Sequence, residues 1–248
     1  MKIPKSHPRA ESLKTREKLV SGYRSGLVVE EGLLAHGRGE MFDYLIGEKT
    51  LKTSHNALRA AAQMLMTAKH PVISVNGNLA ALCPREVVQL AKVTGAEIEI
   101  NLFYASQKRK EAISRTLKRN GATKVLGLER EFSQRIPKLD SARRVVDERG
   151  IFIADVVLVP LEDGDRTTAL KKFGKKVITF DLNPMSRTAQ AADVTIVDNI
   201  TRGMGLLTDI CRRMKGSQFN KTFSFDNKKN LNQSILLIKN NLRRLADA

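Results

Sequence analysis

Two apolar runs, Val177 to Phe180 and Val194 to Val197, each stop at a carboxylate followed by amide residues: Asp181-Leu182-Asn183-Pro184 and Asp198-Asn199. Three more runs stop alike, at Asn76-Gly77-Asn78, at Asn101-Leu102-Phe103-Tyr104 and at Pro160-Leu161-Glu162-Asp163-Gly164-Asp165. Beyond Pro184, a helix start at Ser186-Arg187 sets a hydroxyl and a guanidinium beside free backbone N–H groups, a cradle suited to a nucleotide or phosphate. Each part also has a structural reading. Asp181, Asn183 and Asp198-Asn199 would cap the helices that follow, Gly77 would take a positive φ in a turn braced by Asn76 and Asn78, and Asp165 would cap a helix from Arg166 to Phe173. Five such ends on one sheet edge point to a site rather than to five separate caps.

Other signatures are missing. There is no GxxxxGK[ST] and no GxGxxG after an apolar run, and Gly37-Arg38-Gly39 is only a fragment of a phosphate loop. His36 stands alone beside it, and no two of the four histidines have metal-ligand spacing. A divalent ion would rely on carboxylates and substrate phosphates. Cys83 and Cys211 lie in apolar surroundings without CxxC, as in the core of a reduced, cytoplasmic protein. No segment has the length of a membrane span. The chain has 248 residues, 43 Lys and Arg against 26 Asp and Glu, and a net charge of +17. That surplus is spread over helix faces rather than gathered in a tail, and aromatics are only 5% with no Trp for base stacking, so nucleic acid is an unlikely partner.

The elements that must position these ends alternate. Helices are expected over Ala10 to Ser25, Val29 to Ala35, Asn56 to Ala68, Pro84 to Thr94, and Ser106 up to a closing Gly121. Strands are expected at Val72 to Val75, in AEIEINLF, TKVLGL, DVVLVP, VITFDLN and VTIVDN, with helices at TTALKKFGKK, RTAQAA and TRGMGLLTDICRRMKG. This order predicts an α/β fold, a Rossmann-like parallel sheet with helices on both faces, whose ligands bind at the carboxyl ends of the strands. One domain is expected: an N-terminal helical region over 1–55, the core over 56–215 and a C-terminal appendage over 216–248. The last helix carries Leu231, Ile235, Ile238, Leu242 and Leu245 along one side.

The stretches IPKSHPR (Ile3 to Arg9), REK (Arg16 to Lys18), GLLAHGRGEMFDYLIGE (Gly32 to Glu48), VISVNGNLAAL, INLFY, DVVLVPLEDGDRTTAL and ITFDLNPMSRTAQAADVTIVDNI together resemble archaeal phosphopantothenate synthetases, the 4-phosphopantoate:beta-alanine ligases of coenzyme A synthesis. The resemblance runs in order to about Ile200 and weakens from Leu128 to Val146 and after Arg202. It implies a homodimer that joins 4-phosphopantoate to beta-alanine while ATP is cleaved to AMP and pyrophosphate, with Mg2+. A carboxylate is a poor electrophile until attack on the α-phosphate makes it an acyl adenylate. Such chemistry rests on positioning and on cations facing phosphates, and needs no protein nucleophile.

By the same similarity, ATP contacts fall on Arg16, Arg38, Asp181, Leu182, Asn183, Arg187, Thr188, Asn199 and Ile200. The arginines suit phosphate oxygens, and Asp181 or Asn183 the ribose or adenine edges. Lys5, Ser6, His7 and Arg9 form an anion-seeking cluster for phosphopantoate; Asn76, Asn78 and Asn101 suit its hydroxyls and reacting carboxylate. His36 is a candidate hydrogen-bond donor to the transition state or a phosphate. Glu162, Asp163 and Asp165 are candidate supports for magnesium or the incoming ammonium. Another ATP-dependent carboxylate–amine ligase and a basic nucleic-acid-binding protein are the rival readings.

Overall fold

The computed structural model describes residues 4, 6–215 and 224–247. Five parallel strands form the main sheet: β1 (Pro71–Val75), β2 (Glu97–Ile100), β5 (Val156–Leu158), β6 (Lys176–Phe180) and β7 (Val194–Ile196). Their order is β2-β1-β5-β6-β7, with Val72 beside both Glu97 and Val157. The chain leaves β1 first toward β2 and later returns on its other side as β5. The loops from β1 and β5 therefore part in opposite directions and open a crevice at their carboxyl ends.

Both faces are covered, which is why the strands read as continuous apolar runs. Ile73, Val75, Ile98, Leu158, Ile178 and Phe180 pack against α3 (Lys52–Thr67), α5 (Pro84–Thr94) and α9 (Ile200–Lys215). Val72, Val157, Val159 and Val177 face Ala169 and Leu170 of α7 (Gly164–Lys172), together with Ile136 and Val146. Ile136 follows β3 (Ser133–Arg135) and Val146 belongs to β4 (Val145–Asp147), an antiparallel hairpin. Each strand is only three residues long, too short to give a periodic signal, so the sequence pattern does not reveal the hairpin.

Several boundaries move. The second helix, α2, runs Glu30–Leu45, straight through Gly37-Arg38-Gly39 and well past Ala35. Asn76-Gly77-Asn78 is no turn: Asn76 caps α4 (Gly77–Leu82), accepting from Leu79 N at 2.9 Å. TKVLGL supplies only a bridge from Leu126 to Glu99, because Gly127 at φ 85° turns the chain away. Asp163, not Asp165, stands at the start of α7. In α8 (Arg187–Ala191) the cap is Ser186. The terminal helix α10 (Asn227–Ala246) packs on α3, α8 and β7 through Leu231, Asn230 and Ser234, while Leu242 and Leu245 stay exposed. No helix among the described residues is long and apolar enough to cross a membrane.

Candidate active site

The crevice is a cleft of about 1010 Å³. Its floor is Asn76, Gly77 and Asn78 after β1 and Leu161, Asp163 and Gly164 after β5. Beyond β2, one wall is made by Phe103 and Tyr104, by Arg109 of α6 (Gln107–Arg119), and by Lys138 to Ser141 and Arg143 of the hairpin. The other wall is Ala35 and Arg38 of α2 with Arg187 of α8. Among these lining residues cations outnumber carboxylates, so the cleft attracts anions.

The polar floor is held by its own backbone. Asn76 Nδ2 donates to the carbonyl oxygens of Pro160 and Leu161 at 3.0 and 3.1 Å. Asn101 Nδ2 donates to those of Arg143 and Val145 at 3.2 and 2.9 Å, fixing the hairpin, and its buried Oδ1 has no partner. Asn78 donates to Gly32 O at 2.8 Å, tying α2 to α4.

Behind the wall lies a buried charge cluster. Arg166, 1% exposed, donates to Ser74 Oγ at 3.0 Å and pairs with Glu162. Glu162 also pairs with Arg143, whose Nη1 donates to Asp163 at 2.9 Å. Burial pushes the Arg166 guanidinium down to about 10, and Arg143 downward too, with Arg166 adding to that shift. Glu162 is thus clamped between two arginines and does not face the cleft.

Residues 53–241 match the family described as phosphopantothenate/pantothenate synthetase. A Thermococcus onnurineus protein named 4-phosphopantoate–beta-alanine ligase is 50% identical over 252 residues, covering 100% of this chain and 96% of that relative. Proteins of the same name from Thermococcus kodakarensis and Methanosarcina mazei are 49% and 47% identical, over 99% and 98% of this chain and 95% and 97% of their own lengths. The chain belongs to the phosphopantothenate/pantothenate synthetase family.

The positions that the synthetase resemblance ties to ATP gather around α2, beside the cleft. Arg16 of α1 (Ala10–Arg24) holds Glu40 through Nε at 3.0 Å and Nη2 at 2.9 Å. Arg38 acts electrostatically on Asp181, whose carboxyl is nevertheless pushed up by burial. Leu182 lies against Gly39, and Asn199 donates to Asp43 at 2.8 Å. Burial lowers the His36 pKa, with Glu40 opposing and Arg16 adding to the shift, so His36 sits in this cluster and does not line the cleft.

Several of these groups already have work in the fold. Asp181 accepts from Asn183 N at 2.9 Å and from Ser186 Oγ, and Asn183 accepts from Met185 N at 2.9 Å. Thr188 Oγ1 donates to Glu162 O at 2.7 Å. Asn199 also accepts from Thr201 N at 3.1 Å, and Ile200 opens α9 in the core. These strand-end side chains are therefore engaged in holding the fold itself. Arg38 has no hydrogen bond or ion pair among the described residues, and Arg187 meets only the exposed Asp165, at 3.2 Å. Ser6, His7 and Arg9 are exposed before α1 and do not line the cleft, and Lys5 lies outside the described residues. Sequence reasoning missed Arg109, Lys138, Arg143 and Arg166, because scattered basic residues on helices and loops look like ordinary solvated surface.

Proposed function

We propose that this chain is an ATP-dependent ligase that joins 4-phosphopantoate to beta-alanine, giving 4'-phosphopantothenate for coenzyme A synthesis. The observation that carries this reading is the match to ligase relatives along essentially the whole chain at about half identity. A cationic cleft at the switch between β1 and β5 supports it, since both phosphorylated substrates, ATP and 4-phosphopantoate, are anions.

In the reaction, a carboxylate oxygen of 4-phosphopantoate attacks the α-phosphorus of ATP, and the bond to the β-phosphate breaks to release pyrophosphate. The beta-alanine amine, after losing a proton, attacks the acyl carbon of the adenylate, and AMP leaves. The chain's part is to bind and orient. Arg38 and Arg187, with guanidiniums uncommitted or held only at the surface, take phosphate oxygens. Asp181, Leu182 and Asn183 hold the nucleoside side, and Arg16 and His36 back them through Glu40. Gly37 supports this placement: nothing lies within 4 Å of a Cβ built there, so a glycine that weakens α2 has no packing role and leaves the helix open beside Arg38.

No cluster of three metal-ligating side chains occurs among the described residues. Of the carboxylates that line the cleft, Asp163 and Asp165 pair with Arg143 and Arg187. Magnesium accordingly enters with ATP, held by its phosphates, as this small, strongly hydrated ion is commonly held. The enzyme acts as a homodimer in the cytoplasm; Leu34 and Met41, exposed on α2 at 75% and 57%, offer apolar surface for a second copy. Size measurement by light scattering tests the dimer.

The decisive assay measures AMP and pyrophosphate from ATP with 4-phosphopantoate, with and without beta-alanine, and with plain pantoate as control. Beta-alanine-dependent AMP with the phosphorylated acid supports the assignment. Absence of release with either acid from folded protein would overturn it.

A further inference from the structure

We propose that Glu162, which does not touch substrate, is a positioning residue for the ligase reaction: from behind the cleft it fixes Arg143 of the hairpin wall and the start of α8 on the opposite wall. This goes beyond the ligase reading and rests on it.

The loop that carries Glu162 is held under strain. Leu161 has φ 55°, a left-handed conformation that a bulky residue keeps only when its surroundings impose it. Both of its peptide groups are pinned: Leu161 N donates to Phe180 O at 3.2 Å, and Leu161 O accepts from Asn76 Nδ2 at 3.1 Å. Past this reversal the Glu162 side chain is buried, whereas that of Asp163 is 62% exposed. A carboxylate taken out of water is costly unless it is paired, and this one is paired twice, with Arg143 through Oε1 and with Arg166 through Oε2.

Burial decides which contact orients Arg143. Its Nη1 meets both Glu162 and Asp163, and its buried Nε has no partner among the described residues. Water screens the exposed Asp163 and leaves that pair worth little. Glu162 is shielded from water and is held from behind, because Arg166 is anchored on Ser74 Oγ at 3.0 Å. The orientation of Arg143 therefore runs back through Glu162 and Arg166 to β1. On the other wall, Glu162 O accepts from Thr188 Oγ1 at 2.7 Å, and a Cβ at Gly164 would lie 2.5 Å from Arg187 Cβ, so the loop presses directly on α8. One residue sets the relation between Arg143 and Arg187, cleft cations on facing walls, and a reaction that rests on positioning depends on that relation.

The test uses the full chain and measures AMP release at saturating ATP with 4-phosphopantoate varied, on two variants that separate reach from charge. Glu162→Asp keeps the negative charge among the buried arginines and shortens the arm by one methylene, so one carboxylate no longer bridges both guanidiniums. Glu162→Gln keeps the reach and loses the charge. Positioning predicts that Glu162→Asp, shown to be folded by its melting curve, loses roughly 10- to 100-fold in kcat/KM. The same substitution should cost nothing further in an Arg143→Lys background, because the two residues act as one unit. Full activity of Glu162→Asp would reduce Glu162 to charge balance and overturn the proposal, as would losses that add in the double variant. If Glu162→Asp does not fold, Glu162→Gln carries the same comparison with Arg143→Lys. Wild-type protein active with neither acid would remove the ligase reading instead. The Arg143 Nε–H resonance, assigned by its absence in Arg143→Lys, would then decide the positioning alone: protection from hydrogen exchange that is lost in Glu162→Asp supports it, and unchanged protection overturns it.

Discussion

Asn76 donates to the Pro160 carbonyl oxygen at 3.0 Å, so one side chain joins the ends of β1 and β5 at the floor of the cleft. The same residue caps α4 through its oxygen, which accepts from Leu79 N. Asn76→Ala therefore removes a cap and strips two carbonyls of their donor, and should lower stability by roughly 3 kcal/mol. Asn76→Ser keeps the cap and should recover about 1 kcal/mol of that loss. Urea unfolding midpoints of the two variants check this; equal losses would show that the cap contributes nothing.

Arg202 stands between Asp43 and Asp198, at 2.5 and 2.8 Å, and pins α2 to the end of β7. Both carboxylates are buried, and burial pushes the Asp198 carboxyl upward. Arg202→Met leaves both without their cation and should cost about 3 to 5 kcal/mol, read as a melting point about 10 °C lower. A shift under a degree would mean that the pair is replaceable by water.

Gly37→Ala is expected to stabilise α2 by up to about 1 kcal/mol, since the new methyl meets nothing within 4 Å. It should also raise KM for ATP severalfold, because the methyl stands beside Arg38 where the nucleotide approaches. Denaturation and ATP kinetics on one preparation separate the effects. Stabilisation with unchanged ATP affinity would remove α2 from the nucleotide site.

Glu99 is fully buried, and burial pushes its carboxyl from 4.5 up to about 7, against the backbone N–H groups of Ile151 and Asp147 that both bond it. The folded state then keeps a proton that the unfolded chain releases. Stability from this group is full below the unfolded pKa near 4.5 and is lost as pH rises through about 7, by about 3 kcal/mol. Glu99→Gln should flatten the dependence of unfolding free energy on pH across that window. An unchanged slope would assign the dependence to other groups.

The sequence by itself determined the alternation of main-sheet strands and helices, because those strands are buried on both faces and the covering helices on one, and both patterns are local. It also located the polar strand ends, since Asn76, Asn101 and Asp181 interrupt apolar runs abruptly, and of these Asn76 lines the cleft. Only the tertiary structure decided what those residues hold. Asn101 reaches a hairpin more than forty positions away, and Asn199 reaches Asp43 on a helix near the other end of the chain. The cationic wall of Arg109, Lys138 and Arg143 was invisible for the same reason: charge density is a property of positions brought together by β2, α6 and the β3–β4 hairpin, and no spacing along the chain encodes it.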